Sequence, residues 1–351
     1  MSEVFQWEDI RGNFSDCLIV GNGGSIAISS NFSYKKLYQW GRDNEHIKKA
    51  AQEIFEHFSA SQRDFERILN KLNQADFINK KVDITKSEQN KVRKAYTDVR
   101  RSLIDTVKGL HPEWAEVKNE IDFVRQYLSN FNTIFSLNYD LLIHWATQTQ
   151  ISLIDSSDVF DDGFSKRDNV KNSTSLLFDY KKLLPTNDKT TQLYFPHGNL
   201  LLYSTKLGDE KKITANHKKD LLTALTKAWA NNGSQPLFIC EGDSHEKLKQ
   251  INTSSYLSHV YHQALPKAKE NVTIYGWSMG TQDNHLLAQL KQANPMRVAV
   301  SIYTGQDIES QEKEMKHALT ALKNEVGINS NNVTFFDSQS AGAWNQPSTV
   351  F

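Results

Sequence analysis

The sequence predicts an α/β protein with a doubly wound, Rossmann-like parallel sheet and an all-helical insertion. Three observations lead to this fold: short apolar runs recur with helical segments between them, a glycine-rich turn follows the first run, and residues 45–130 show helical periodicity. Apolar strands that alternate with helices are typical of a sheet whose two faces are covered by helices. We expect residues 1–351 to form a single domain that contains residues 45–130 as its insertion.

Seven short apolar runs are predicted to be strands, and residues 151–154 form a weaker run. The seven lie at residues 17–20, 132–137, 193–195, 236–240, 271–275, 297–303 and 333–336. Between the first two, apolar residues recur at i, i+3 and i+4 spacing, which predicts four amphipathic helices. Gly109 is expected to end the third helix, and Pro112 to lie in the first turn of the fourth. Their apolar stripes indicate a packed core or lid rather than a cofactor site.

The charge balance argues against two classes of partner, although it leaves room for a local basic groove. Lys and Arg total 41, and Asp and Glu also total 41, so the formal net charge is zero. General binders of nucleic acid or of anionic membranes need a surplus of cations. We therefore expect neither a nucleic acid nor a membrane among the partners.

Cysteine use and hydropathy bear on the compartment. The two cysteines, Cys17 and Cys240, lie in strand-like runs and indicate buried thiols in a reducing environment. The chain starts without the pattern of a signal peptide, and its apolar runs are shorter than the roughly 18 to 20 residues of a membrane helix. We expect a cytoplasmic protein.

Glycines and polar residues follow five of the predicted strands. These strand ends are GNGGS at 21–25, NYD at 138–140, HG at 197–198, EG at 241–242 and GWS at 276–278. Parallel sheets bind ligands outside the carboxyl ends of their strands, so this convergence predicts a ligand site. In the first loop, glycines permit positive φ and a close approach of the backbone, and the amides of a helix start attract anions. The loop therefore predicts a phosphate cradle, with a plain strand-to-helix turn as the alternative.

Each side chain at these ends also has a structural interpretation. Asn138 and Asp140 would serve equally well as caps of the helix that follows them. His197 would fit an ordinary turn, and Asp283 with His285 the solvated start of a helix. Adjacent carboxylates such as Asp161 and Asp162 usually face solvent, and suitably spaced His or Cys partners are missing, so we predict no metal.

Taken in order, the motifs at 21–25, 138–140, 197–198 and 276–278 resemble those of the sirtuin family. The stretches FSLNYDLLIHWA, DDGF, LFICEGDSHEKLKQINTSSYL and IYGWSMGTQDNHL more closely resemble bacterial sirtuin-like proteins catalogued as a domain of unknown function. The resemblance implies an NAD-binding Rossmann-like fold with NAD as the substrate. It also implies a relation to NAD-consuming effectors of anti-phage defence.

The resemblance also assigns roles to the site residues. His197 becomes the general base, Asn138 orients ribose or water, and Asp140 positions the nicotinamide ribose or stabilises positive charge. The implied cofactor-binding residues are Gly21, Asn22, Gly23, Gly24, Ser25, Gly198, Gly276, Trp277, Ser278 and Asp283. The loop and the late Gly-Trp-Ser segment would hold the pyrophosphate and the adenosine ribose.

Two departures from deacylating sirtuins narrow the activity. The Cys-x-x-Cys pairs of their zinc module are missing, and residues 31–36 read NFSYKK where those enzymes carry a Gly-Ile-Pro-Asp-Phe-Arg type of loop. Both features help to form an acyl-lysine cleft, so we predict an NAD glycohydrolase that releases nicotinamide and ADP-ribose. A catalytically silent NAD or ADP-ribose sensor is the alternative, and a protein deacylase the third. Self-association through the insertion and an activating or inhibiting protein partner are further expectations.

Overall fold

Eight parallel strands form the central sheet of the chain. The computed structural model describes residues 3–33, 37–59, 63, 65–82, 84–147, 160–165, 175–179, 190–205, 207–215, 217–230, 234–239 and 243–344. Its strands in chain order are β1 Val4–Phe5, β2 Cys17–Val20, β3 Thr133–Ser136, β4 Phe160–Asp161, β5 Phe164–Ser165, β6 Ser175–Phe178, β7 Thr191–Tyr194, β8 Gly198–Thr205, β9 Glu210–Ile213, β10 Ser234–Phe238, β11 Asn271–Tyr275, β12 Arg297–Ile302 and β13 Val333–Asp337. The central sheet has the order β1-β13-β12-β11-β2-β3-β7-β4. The predicted α/β fold with a parallel sheet is confirmed.

Helices occupy most of the connections between these strands. In chain order they are α1 Trp7–Ile10, α2 Asn22–Ile28, α3 Leu37–Asp43, α4 Lys49–Glu56, α5 Phe65–Lys81, α6 Lys86–Leu110, α7 Trp114–Leu128, α8 Leu142–Thr147, α9 Leu221–Ala230, α10 Ser244–Ile251, α11 Ser255–His259, α12 Asn284–Ala293 and α13 Ile308–Ala321. Among the described residues, none of these helices combines the length and the apolar character that crossing a membrane requires.

The middle of the central sheet is buried and sets the level of the strand ends. All four residues of β2 are buried, as expected of a strand covered on both faces. Val20 pairs with Ser136 on one side and with Tyr275 on the other. The chain therefore leaves β2, β3 and β11 at the same height, and the segments that follow these strands start side by side.

The segment between α2 and β3 folds as helices in its described part. Helices α3 to α7 occupy it, and buried aromatic side chains such as Phe55 and Phe65 pack where α4 and α5 meet. Gly109 lies one residue before the end of α6, and Pro112 precedes α7. The helical insertion is thus confirmed as part of the fold, while its bounds of 45–130 stay a prediction.

A second sheet, which the sequence analysis did not predict, lies beside the first. It has the order β10-β8-β9-β6-β5, and its strands pair antiparallel. The run at 236–240 was expected to join the parallel sheet, but β10 pairs with β8 instead. The strand β9 lies in a stretch where no strand was predicted. The predicted strand end at 241–242 therefore does not follow a strand of the central sheet, and those two residues lie outside the described part of the chain.

Three further expectations have outcomes here. Cys17 is a buried thiol, and Cys240 lies outside the described residues. The weak strand at 151–154 lies outside them as well. Asp162 was expected to face solvent, but it forms a buried ion pair with Lys212, a side chain that is itself almost fully buried.

Candidate functional site

Four neighbouring strands of the central sheet, β11, β2, β3 and β7, direct their carboxyl ends to the same edge. The segments that follow them carry the predicted site residues: Gly276 after β11, Gly21 after β2, Asn138 after β3 and His197 after β7. Since β7 and β11 are separated by β3 and β2, their axes lie about 14 Å apart. Side chains from the two outer strands must therefore converge across β2 and β3 in order to meet.

A buried polar cluster joins the segments after β2 and β3. Ser25 donates from its hydroxyl to Asp140 Oδ2 at 2.5 Å, and Asn138 Nδ2 donates to Ser25 Oγ at 2.9 Å. Asp140 Oδ1 accepts the backbone N–H of Leu142 at 2.8 Å, at the first residue of α8. All three side chains of the cluster are buried. Asp140 is thus both a helix cap, as the structural interpretation held, and a partner of Ser25.

The cluster leaves one polar atom for a ligand. Asn138 is 4% exposed, and its Oδ1 accepts no hydrogen bond within the described part of the chain. A buried acceptor without a donor is costly, so such atoms usually meet water or a ligand. Burial raises the pKa of Asp140, while its hydrogen bonds with Ser25 and Leu142 act in the opposite direction. We interpret Asn138 as the contact residue of this cluster, and Asp140 with Ser25 as the groups that orient it.

A second buried cluster joins the segments after β7 and β11. His197 Nε2 lies 2.9 Å from His285 Nε2, at the start of α12. Next to this pair, Asp283 accepts Lys247 Nζ at 2.7 Å on Oδ1 and Trp277 Nε1 at 3.1 Å on Oδ2. The two histidines connect the outer strands of the crevice.

The charges of this second cluster are governed by burial. Burial lowers the pKa of His197 well below its ordinary value, and the Lys247 ammonium lowers it further. Burial lowers the pKa of His285 to about 4, with Lys247 again acting in the same direction. Burial alone would raise the pKa of Asp283, but the neighbouring His197, the Lys247 side chain and the Trp277 indole outweigh it and hold this pKa below its ordinary value. At neutral pH both imidazoles are therefore neutral and the ion pair is charged.

The same side chains have the donor types of a metal site. Each of three residues, His197, Asp283 and His285, offers one ligand atom, and these three atoms lie within 4.8 Å of one another. However, both carboxylate oxygens of Asp283 already accept hydrogen bonds, one of them from the Lys247 ammonium, which supplies the positive charge that a metal would bring. The arrangement fits a neutral histidine pair beside an internal ion pair better than it fits a metal centre.

The glycine-rich loop is explained by close packing against the late Gly-Trp-Ser segment. Gly21 N–H donates to the Tyr275 carbonyl and Gly23 N–H to the Gly276 carbonyl, both at 2.8 Å. A Cβ on Gly21 or on Gly23 would lie 2.7 Å from Gly276 or Trp277 atoms. The loop was expected to use positive φ, but only Gly276 of this group does so, at 63°.

The remaining predicted cofactor residues differ in exposure. Trp277 is buried and donates to Asp283, whereas Ser278 is exposed and its carbonyl lies 3.0 Å from His317 Nε2. Asn22 donates from Nδ2 to the Phe32 carbonyl at 2.8 Å. Gly24 packs against the Trp344 indole, which would lie 3.1 Å from its Cβ. The structure thus ties these residues to one another through the loop and its neighbours.

The backbone around His197 explains the glycine that follows it. Gly198 has a φ of 69°, and a Cβ there would lie 2.2 Å from the Leu237 carbonyl oxygen. Leu200 N–H donates to the Tyr139 carbonyl at 2.8 Å, which ties the start of β8 to the segment after β3. Asn199 is buried, and its Nδ2 has no hydrogen-bond partner in the described residues. It is a second polar group next to the crevice.

Sequence reasoning missed four residues of the site. These are Asn199, Ser244, Lys247 and His285. Asp283 and His285 were recognised together, but as a solvated helix start, and the structure buries both. Periodicity on α10 cannot show that Lys247 points into the protein. The available signal was the Asp-x-His spacing after a strand end.

Comparison with known proteins identifies a family. Residues 18–344 match the family model described as a domain of unknown function (DUF4917). None of the curated proteins matches the chain. Among solved structures, a Sir2 mutant with a p53 peptide and NAD is similar at 8% identity and a TM-score of 0.34, covering 95% of this chain and 92% of that one. Because the family model spans nearly the whole chain and all the site residues described above, the protein belongs to the DUF4917 family.

Proposed function

We propose that the protein binds NAD at the carboxyl ends of β2, β3, β7 and β11 and hydrolyses the bond between its nicotinamide and ribose. The observation that carries this proposal is that a buried, neutral His197 and the unsatisfied Asn138 Oδ1 follow two adjacent strands of the central sheet. The sequence motifs of 21–25, 138–140, 197–198 and 276–278 supply the choice of NAD among nucleotides.

The chemistry of the scissile bond matches these groups. As the bond between C1′ and the nicotinamide nitrogen lengthens, its electron pair goes to the nicotinamide and the ribose gains oxocarbenium character. Asn138 Oδ1 would accept a hydrogen bond from a ribose hydroxyl or from the attacking water. Asn138 Nδ2 donates to the buried Ser25 hydroxyl, which in turn donates to the buried Asp140 carboxylate. Because these bonds hold the amide in place, Asn138 Oδ1 is fixed before the substrate arrives.

His197 would complete the reaction as the base. Water forms the new bond to C1′, and its proton passes to the imidazole, which has a lone pair to accept it because burial lowers the pKa of His197 and keeps the ring neutral. Ser25 and Asp140 act as positioning residues, because their hydrogen bonds hold Asn138 rather than reach outward. The residues Gly21 to Gly24, with Gly276 to Ser278 and Asp283, form the proposed wall for the pyrophosphate and adenosine ribose.

One observation favours a second candidate function, a catalytically silent sensor of NAD or ADP-ribose. His197 Nε2 is hydrogen-bonded to His285, so only Nδ1 of the His197 ring remains for proton transfer. Such a protein would bind the nucleotide without consuming it. The proposed biological setting in either case is anti-phage defence, with self-association or a protein partner controlling the site.

Incubation of the purified protein with NAD, followed by chromatography of nicotinamide and ADP-ribose, tests the proposal. We expect the wild type to release both and His197→Ala to be slower by ~10²–10⁴-fold, as for the loss of a general base. His262→Ala is the matched control, because this exposed histidine contacts Asn252 and the Tyr261 ring rather than His197. Equal release by the wild type and His197→Ala would refute the proposal.

Two further measurements distinguish NAD hydrolysis from the sensor and from the deacylase. Tight binding of ADP-ribose by calorimetry, without release of nicotinamide under any condition, would favour the sensor. Release of nicotinamide only when an acyl-lysine peptide is added would revive the deacylase.

A further inference from the structure

We infer that His285 is a positioning residue that keeps the proton of neutral His197 on Nε2 and so makes Nδ1 the atom that receives the substrate's proton. This inference rests on the proposed role of His197 as the base. The pair of His197 and His285 joins the segments that follow β7 and β11. Among the described contacts, no other direct side-chain hydrogen bond links these two segments.

The contact itself allows only two arrangements. The two Nε2 atoms lie 2.9 Å apart, so one of them must carry the proton and the other must accept it. If His285 donated, neutral His197 would carry its own proton on Nδ1 and would have no lone pair to offer. If His197 donates, its Nδ1 is a free acceptor. Within the described residues, no hydrogen bond reaches that Nδ1.

The surroundings of His285 can accommodate the second arrangement, which the proposed role of His197 as the base requires. His285 must then carry its proton on Nδ1, and Ser244 Oγ lies 3.4 Å from that atom. Ser244 Oγ also accepts the backbone N–H of His285 at 2.8 Å, and Tyr261 donates to the His285 carbonyl at 2.9 Å. These contacts anchor the ring by its backbone on two sides, so its Nε2 stays directed at His197.

The arrangement also provides for the charge that forms on catalysis. When Nδ1 of His197 accepts the proton, the imidazolium shares its positive charge through the Nε2–H bond to His285. The carboxylate of Asp283 lies in the same cluster, although Lys247 neutralises it. His285 therefore serves His197 as a neutral orienting partner, in the place that a carboxylate takes in the usual triads.

Two substitutions separate positioning from simple packing. His285→Gln retains an amide group at the distance of Nε2, so it can still accept from His197. His285→Asn reaches only as far as Nδ1 and loses that contact. We expect His285→Gln to keep kcat for NAD hydrolysis within ~10-fold and His285→Asn to lower it by ~10²-fold or more, with KM within ~3-fold for both. Comparable kcat values for the two variants would overturn the assignment.

A spectroscopic measurement tests the same point without catalysis. Nitrogen-15 NMR of histidine-labelled protein reports which ring nitrogen is protonated, and His197→Gln identifies the His197 signals. We expect Nε2 of His197 to carry the proton in the wild type and in His285→Gln, and His285→Asn to show a mixture. A proton on Nδ1 in the wild type would overturn the inference. If the wild type leaves NAD intact, NAD hydrolysis is refuted while these spectra still decide the role of His285.

Discussion

The ion pair of Lys247 and Asp283 provides a quantitative test of how the site is held together. The side chains are 6% and 12% exposed, and Lys247 Nζ lies 2.7 Å from Asp283 Oδ1. Lys247→Met keeps the length of the side chain and removes its charge, leaving the Trp277 indole on the other carboxylate oxygen. Removing one partner of a buried pair leaves an uncompensated charge, which costs about 3–5 kcal/mol.

Urea unfolding at neutral pH, followed by circular dichroism, would measure this cost. We expect Lys247→Met to lower the free energy of unfolding by about 3–5 kcal/mol. Asp283→Asn should also destabilise, and the double variant should lose less than the sum of the two single losses, because the charges are removed together. Lys80→Met is the matched control: its partner Asp76 lies on the surface helix α5, and we expect a loss below about 1 kcal/mol.

The pH dependence of the unfolding free energy tests the same ion pair, because the sign of the change with pH follows from the pKa of Asp283. In the wild type Lys247 holds the pKa of Asp283 down, so the stability from this carboxylate is lost as the pH falls through that value. In Lys247→Met, burial dominates and the carboxyl is more stable when protonated. The difference between the two proteins should therefore shrink as the pH falls from 7 towards 4. A loss below about 1 kcal/mol, additive single losses or a difference that does not change with pH would each refute this reasoning.

Four other substitutions test the cluster, the loop and a buried histidine. Ser25→Ala strips Asp140 of its hydroxyl donor inside the protein, and we expect a loss of about 2–4 kcal/mol in urea unfolding together with weaker NAD binding by calorimetry; unchanged binding would contradict the proposed site. Gly276 and Gly342 both have a φ near 64°, but only at Gly276 would a Cβ lie 2.7 Å from another backbone atom. Gly276→Ala should therefore lower the free energy of unfolding by at least about 1 kcal/mol more than Gly342→Ala. Equal losses would argue against close packing of the loop. Burial lowers the pKa of His111 to about 4, so the contribution of about 3 kcal/mol that its neutral form makes to the free energy of unfolding, present above pH 6.5, should be lost as the pH falls towards 4. His111→Gln should flatten this part of the stability profile. An unaltered slope in this variant would be evidence against the role of His111.

The sequence alone pointed to most residues of the candidate site because strand ends are a local property. Apolar runs that stop at Asn138, His197 or Gly276 mark where a buried strand reaches the edge of its sheet. In a parallel sheet these edges coincide, so residues far apart in sequence were expected to meet before their distances were known. The structure brings Ser25, Asn138 and Asp140 into one hydrogen-bonded cluster, in agreement with that reasoning.

The sequence did not reveal which sheet a strand would join. The run at 236–240 has the same apolar character as the central strands, yet β10 lies at the edge of the antiparallel sheet. Pro236 within it was the local warning, since proline has no backbone N–H to donate to a sheet ladder and is mostly found in edge strands. Strand partners are chosen by long-range contacts, and periodicity carries no record of them.

What the sequence determined is the parallel α/β fold, the helical insertion and the glycines that let the loops after β2 and β11 touch. What only the tertiary structure decided is the environment of the charged and titratable groups. Asp283 and His285 look like the start of a surface helix, and Lys247 like an exposed lysine of α10, until folding buries all three beside His197. The physical reason is that burial, not residue type, determines whether a lysine is solvated or compensates a carboxylate, and whether a histidine is a charged surface group or a neutral base.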